Sequence, residues 1–183
     1  MNVNSFSLGL ITVGLLAACD NSQVLRDEDS QFFSVSLGST FTLNREITVQ
    51  PDQVSVYLQN GKIERVGDVD FYKPHCKFEL FTISEQARVV KPDTFVVTRI
   101  VDQREDVSRQ WPRYAALGMA DSGGDTGPIH MTFSTTMYLE SKIQPDVFRM
   151  NCKRWDWPNI GEYLSINEMR QALGDYFTLS LVE

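Results

Sequence analysis

Residues 131–139 read MTFSTTMYL. Met131, Phe133, Met137 and Leu139 share a parity with Thr135, while Thr132, Ser134, Thr136 and Tyr138 hold the other. A period of two places alternate side chains on opposite faces of an extended chain, so this stretch predicts a strand with one apolar and one polar face. Downstream, residues 147–153 repeat the pattern: Phe148, Met150 and Cys152 alternate with Arg149 and Asn151. Upstream, residues 94–101 (TFVVTRIV) are rich in β-branched side chains, which suit a pleated surface. Residues 75–83 form another candidate strand, in which Cys76, Phe78 and Leu80 alternate with Lys77 and Glu79. Val54, Val56 and Leu58 lead into Asn60-Gly61, a two-residue hairpin signal, with 62–65 as the return strand. Residues 177–182 (FTLSLV) close the set.

One helix is expected. Ser165-Ile166-Asn167-Glu168 has the spacing of a capping box, Ile166, Met169, Ala172 and Leu173 recur at helical spacing, and Gly174 is placed to stop the helix. The expected fold is therefore mainly β: an antiparallel β-sandwich or partly open barrel with one short C-terminal helix, spanning residues 31–183 as a single domain. Three stretches share an apolar-polar-Pro-Asp-x-apolar-x-apolar pattern, at 49–56, 90–97 and 143–150. They read either as duplicated hairpin units or as ordinary turn punctuation at strand entrances.

The composition fits a globular chain. Of 183 residues, 42% are hydrophobic and 22% charged, with a net charge of -7. That balance argues against a nucleic-acid partner, which needs a basic face, and against adhesion to anionic lipid by charge.

The first 18 residues carry no charged side chain, and an apolar run extends from Phe6 to Ala18. The run is too short for a permanent membrane span, which takes about 20 residues, and matches the core of a signal peptide. It ends in Leu16-Ala17-Ala18-Cys19, which resembles the lipobox of bacterial lipoproteins. The resemblance implies cleavage of 1–18, acylation of Cys19 and anchoring to the membrane through its acyl chains. Asp20 resembles the sorting residue that retains such proteins at the periplasmic face of the inner membrane, with the outer membrane as the alternative. The chain departs from the usual signal peptide in having no Lys or Arg before the apolar run. An ordinary cleavage after Ala18 that leaves Cys19 a free thiol is the competing reading. Residues 19–30, acidic and polar, are then a flexible tether. Lys73-Pro74-His75-Cys76-Lys77-Phe78-Glu79 and Gln144-Pro145-Asp146 also resemble stretches of proteobacterial envelope lipoproteins of similar size, a resemblance that brings no activity with it.

With Cys19 acylated, Cys76 and Cys152 remain in an oxidising compartment, each on the apolar side of a predicted strand, and a disulfide is expected. The rival is a metal site drawn from His75, Cys76, His130 and Cys152. Adjacent His75 and Cys76 point to opposite faces of a strand, and no short zinc-ligand spacing occurs, so neither metal nor other cofactor is expected.

Catalytic motifs are not convincing. Asp121-Ser122-Gly123-Gly124 resembles the nucleophile turn of trypsin-like proteases, but Ala120 and Asp125 stand where that family has Gly and Pro, and no suitably placed His accompanies it. Residues 108–129 lack periodicity and predict a long mobile loop. Trp111, Arg113 and Tyr114 at its start are of the types that anchor protein interfaces, although Trp111 could equally pin the loop. Trp155 and Trp157 form a second aromatic pair, able to contact a partner or to seal the edge of the core. The expected function is a membrane-anchored, non-catalytic binding or assembly module of the cell envelope, with an envelope protein or the cell wall as partner. A periplasmic hydrolase or carbohydrate-binding enzyme is the alternative.

Overall fold

The structure is a computed structural model that describes residues 27–107 and 130–182. Cys19, Asp20, Trp111, Arg113, Tyr114 and the predicted loop 108–129 lie outside the described residues. The fold is mainly β, as the alternation predicts. Its strands are β1 (Thr40–Leu43), β2 (Ile47–Val49), β3 (Ser55–Gln59), β4 (Lys62–Glu64), β5 (His75–Leu80), β6 (Arg88–Val90), β7 (Asp93–Asp106), β8 (Met131–Glu140), β9 (Val147–Asp156) and β10 (Phe177–Ser180). Eight of them form one antiparallel sheet in the order β10-β1-β7-β8-β9-β5-β3-β4, and β2 pairs with β6 in a small second sheet. Among the described residues the single α-helix, α1, covers Ile166–Leu173.

The large sheet curls into a half-barrel. Phe78 on β5 lies 6.1 Å from Phe95 on β7 and 5.1 Å from Phe177 on β10, ring centre to ring centre. Strands distant in sheet order thus meet across the concave side. That side is the core. Phe41, Leu43, Phe95, Val97, Met137, Leu139, Met150, Phe78 and Leu58 are all buried there, and Ile47, Val49 and Val90 of the small sheet join them. The apolar parity read from residues 131–139 is the parity that faces this core.

Helix α1 is built as its sequence indicates. Ser165 accepts from the Glu168 amide at 3.2 Å, and the Glu168 carboxylate accepts from the Ser165 amide at 2.9 Å, closing the capping box. Its buried stripe of Ile166, Met169, Ala172 and Leu173 packs against β3, β5 and β10, filling the mouth of the half-barrel. The Asn60-Gly61 turn has positive φ at both residues, as the tight hairpin between β3 and β4 requires. Of the expected tether, residues 27–30 are docked on α1: the Asn167 amide donates to the Glu28 carbonyl at 3.1 Å, and Arg170 pairs with the Glu28 carboxylate.

Cys76 and Cys152 face each other in register on β5 and β9, with Cα atoms 4.0 Å apart, and are joined by a disulfide on the core side. Both sulfurs are therefore consumed, and the four-residue metal set falls apart.

Two strands carry an extra residue. Leu80 pairs with Val147 and Glu79 with Arg149, so Phe148 is inserted in β9. Val97 pairs with Leu139 and Arg99 with Tyr138, so Thr98 is inserted in β7. Bulges of this kind re-aim side chains. The sequence alternation places Phe148 with Met150 and Cys152 on the core face; the bulge turns it outward, where its ring lies 4.2 Å from that of Phe81 and 5.3 Å from that of Tyr138.

Candidate functional site

The convex face of the sheet carries the polar parity of β7, β8, β9 and β5, and it has three zones along the strands. In the middle zone lie Ser134 and Thr136 on β8, Lys153 and Asn151 on β9, and His75 and Lys77 on β5, side by side in register. Polar residues on an outer sheet face are ordinarily wet, yet His75, Ser134, Thr132 and Thr136 are buried. Glu79 is buried as well. It bridges Lys77 at 2.7 Å and Arg149 at 2.6 Å. Burial pushes its carboxyl up, but these two cations outweigh that and hold it below the ordinary carboxylate range.

Lys153 differs from its neighbours. It has no ion pair among the described residues, and burial, reinforced by the Lys77 charge, lowers its pKa. The His75 Nδ1–H donates to the Lys73 carbonyl at 2.9 Å, which leaves Nε2 as a bare acceptor with no partner among the described residues. Burial lowers the His75 pKa to about 4, against the opposing effect of that carbonyl. The imidazole is therefore neutral near pH 7. Asn151 Oδ1 and Thr132 Oγ1 are likewise buried without a partner, although the Asn151 amide donates to Thr136 at 2.7 Å.

At one end of this ladder is an aromatic zone. Trp155 stacks on Phe71 at 4.8 Å and meets Tyr72 edge-on at 5.7 Å. Tyr72 meets His130 at 5.2 Å, and His130 meets Trp157 at 4.8 Å. The two tryptophans singled out by sequence are thus linked through Tyr72 and His130. They do not stack on one strand face, because β9 ends at Asp156 and Trp157 lies beyond it. Trp155 is half-buried, while Trp157 and Tyr72 are largely exposed.

At the other end lies a groove of about 960 Å³. Phe81, Val96, Tyr138, Ile143 and Phe148 supply its apolar walls, with Arg99 and Lys142 among its charged residues. Both bulges contribute to it, through Thr98 and Phe148. Arg99 lies over the Tyr138 ring at 4.9 Å, and Arg149 lies over the Phe148 ring at 4.9 Å, so guanidinium planes cover part of the apolar surface. The rest is open to water: Ile143 is 81% exposed, Phe81 59% and Val96 42%.

The groove is held open by a stitched frame. Ser141 and Gln144 both donate to the Asp93 carboxylate, and Gln144 also bonds the Lys91 backbone in both directions, at 2.9 and 2.8 Å. Asp146 accepts from Thr82 at 2.9 Å and pairs with Arg88 at 2.5 Å. Two of the three Pro-Asp motifs therefore brace this frame through Asp93 and Asp146. The third lies between β2 and β3, where Asp52 has positive φ.

Sequence reasoning missed the groove. One signal was present: Phe81 and Ile83 continue apolar beyond Leu80 out of phase with the β5 core face, and Ile143 stands alone in a polar turn. The bulges that gather these residues leave no periodic trace. Comparison with protein-family models, with curated proteins and with solved structures finds no match for the chain.

Proposed function

We propose that this chain is a lipoprotein of the bacterial cell envelope, anchored through acyl chains on Cys19, whose β-domain binds an envelope protein in the groove beside β7 and β8. The observation that carries the binding function is the exposure of Phe81, Val96 and Ile143 around one concave surface. Contiguous apolar exposure costs free energy in water and marks interaction surfaces. A rigid frame around it lowers the ordering cost of binding. Arg99 and Lys142 give the groove cationic polar contacts, so the favoured ligand is a protein segment with an apolar side chain flanked by a carboxylate. Asp20 directs the anchored protein to the inner membrane in this reading, facing the periplasm.

The test has two arms. Mass spectrometry of the mature N-terminus should find diacylglycerol on Cys19, and an unmodified thiol there refutes the anchor. Co-isolation after in-cell crosslinking should recover the same envelope protein repeatedly with the native chain and lose it with Ile143→Asp. Equal recovery with Ile143→Asp refutes the groove.

A further inference from the structure

Residues 27–39 form a strap from α1 to the start of β1, beside the edge strand β10. Arg170 holds its first part, pairing with the Glu28 carboxylate while donating to the Leu179 carbonyl at 3.3 Å. Its last part is held on both sides. The Gly38 amide donates to the Val97 carbonyl at 2.9 Å, and the Ser39 hydroxyl accepts from the Val182 amide at 3.4 Å. Phe33 and Leu181 turn inward and pack against the core. Phe32 and Val182, their chain neighbours, turn outward. Phe32 is 89% exposed, more than any other large apolar side chain among the described residues, and Leu37 and Val182 are 61% and 53% exposed. A Cβ on Gly38 would lie 3.3 Å from Val182 Cγ2, which sets Val182 beside the turn at Leu37 and Gly38. The strap and the end of β10 thus make a rim with apolar side chains on its outer surface.

We infer that this rim seats on the lipid bilayer that holds Cys19, a reading that rests on the acylation proposed above. Eight residue steps separate Cys19 from Asp27, the first residue of the strap. Even fully extended, they span at most about 29 Å. A domain of this size is roughly 40 Å across, so the side that carries the strap cannot be the side farthest from the membrane. An exposed apolar surface kept that close to a bilayer gains by entering the headgroup region, where binding scales with the apolar area buried. The charges name the kind of surface. Asp27, Glu28 and Asp29 are acidic, so the strap is not drawn to anionic headgroups, and the contact is made by Phe32, Leu37 and Val182 on a zwitterionic surface. The acyl chains then hold the domain at the membrane, and the rim sets its orientation there.

The test uses the full-length chain, purified in detergent and reconstituted into vesicles of phosphatidylethanolamine and phosphatidylcholine that contain a nitroxide-bearing lipid. With Cys19 acylated and the other two cysteines bridged, an introduced cysteine is the single thiol to label with an environment-sensitive dye. Labels at Phe32→Cys, Leu37→Cys and Val182→Cys should shift to the blue and be quenched about twofold or more. Labels at Val66→Cys, beyond the opposite edge strand β4, and at Ile83→Cys, between β5 and β6, should stay unquenched. The quenching should survive 1 M salt, on the order of a 3 Å screening length, because the contact is apolar. In the Val182→Cys background, Phe32→Asp with Leu37→Asp should remove most of it while the chain still floats with the vesicles. Failure of the native chain to float refutes the acyl anchor, and the seating with it. Flotation with no quenching at position 32, with equal quenching at positions 66 and 83, or with quenching lost in salt overturns the seating alone and leaves the anchor standing.

Discussion

His75 shows how a single side chain can tie stability to pH. Its neighbour Cys76 turns into the core and takes part in the disulfide, so strand geometry sends His75 to the outer face. It is nonetheless fully buried. The neutral ring satisfies Nδ1–H on the Lys73 carbonyl, and a second proton on Nε2 would be charged, buried and close to Lys153. The folded pKa of about 4 lies below the ordinary value of 6.5, so between those values the unfolded chain binds the proton more readily. Stability contributed by the neutral ring is complete above pH 6.5 and is lost as pH falls towards 4. The difference corresponds to about 3 kcal/mol. Glu79, whose pKa is also lowered, loses its contribution in the same direction at more acidic pH. Urea unfolding at pH 7 and pH 4.5 should therefore show a marked loss of stability in the native chain and a smaller loss in His75→Phe. An equal loss in both would remove His75 from this role. The facing of His75 was legible in the sequence from its adjacency to Cys76. Its burial was not, because alternation assigns a residue to a face without saying what covers that face.

At the scale of elements, the hairpin and the helix were each readable, but the contact that joins them was not. Asn60-Gly61 specifies a turn and Gly174 specifies a helix stop, and both do so locally. In the structure the two glycines touch: the Gly61 amide donates to the Ala172 carbonyl at 3.1 Å, and a Cβ on Gly174 would lie 2.3 Å from the Gly61 Cα. Gly174 also has φ of +54° and ψ of -141°, a region reserved for glycine. Gly174→Ala should cost about 2 kcal/mol or more, from strain and overlap together. Gly67, whose added Cβ would meet nothing within 4 Å, supplies the control: Gly67→Ala should leave the melting temperature nearly unchanged. Thermal unfolding of the two variants checks this, and equal melting temperatures would contradict the contact. The elements that the sequence did not reveal are β1, β2 and β6, each of three or four residues. Windows that short hold too few alternations to separate a strand from a loop. The bulges at Thr98 and Phe148 are invisible for a related reason, since one inserted residue shifts the parity of everything beyond it.

Across the whole molecule, an acidic chain of net charge -7 concentrates Lys77, Lys153, Arg149 and Arg99 on one convex face, with Glu79 bridging two of them. The concave face is spent on the core and on α1, and among the described residues the groove at the end of the convex face is an open apolar surface. Residues 27–30 dock on α1, which fixes where the chain leading from Cys19 meets the domain. Fold class, helix and the facing of the two bridged cysteines could be read from periodicity, because they depend on many residues agreeing. The groove depends on two bulges and a hydrogen-bonded frame, and only the assembled structure displays it. The most direct measurement of its role places a photo-crosslinking amino acid at Ile143 in the full-length chain and irradiates living cells, with the same residue at Ile160, also exposed, as reference. The account predicts one discrete protein adduct from position 143 that is absent from position 160 and lost when Phe81→Asp is added. No adduct from position 143, or the same adducts from both positions, would contradict it.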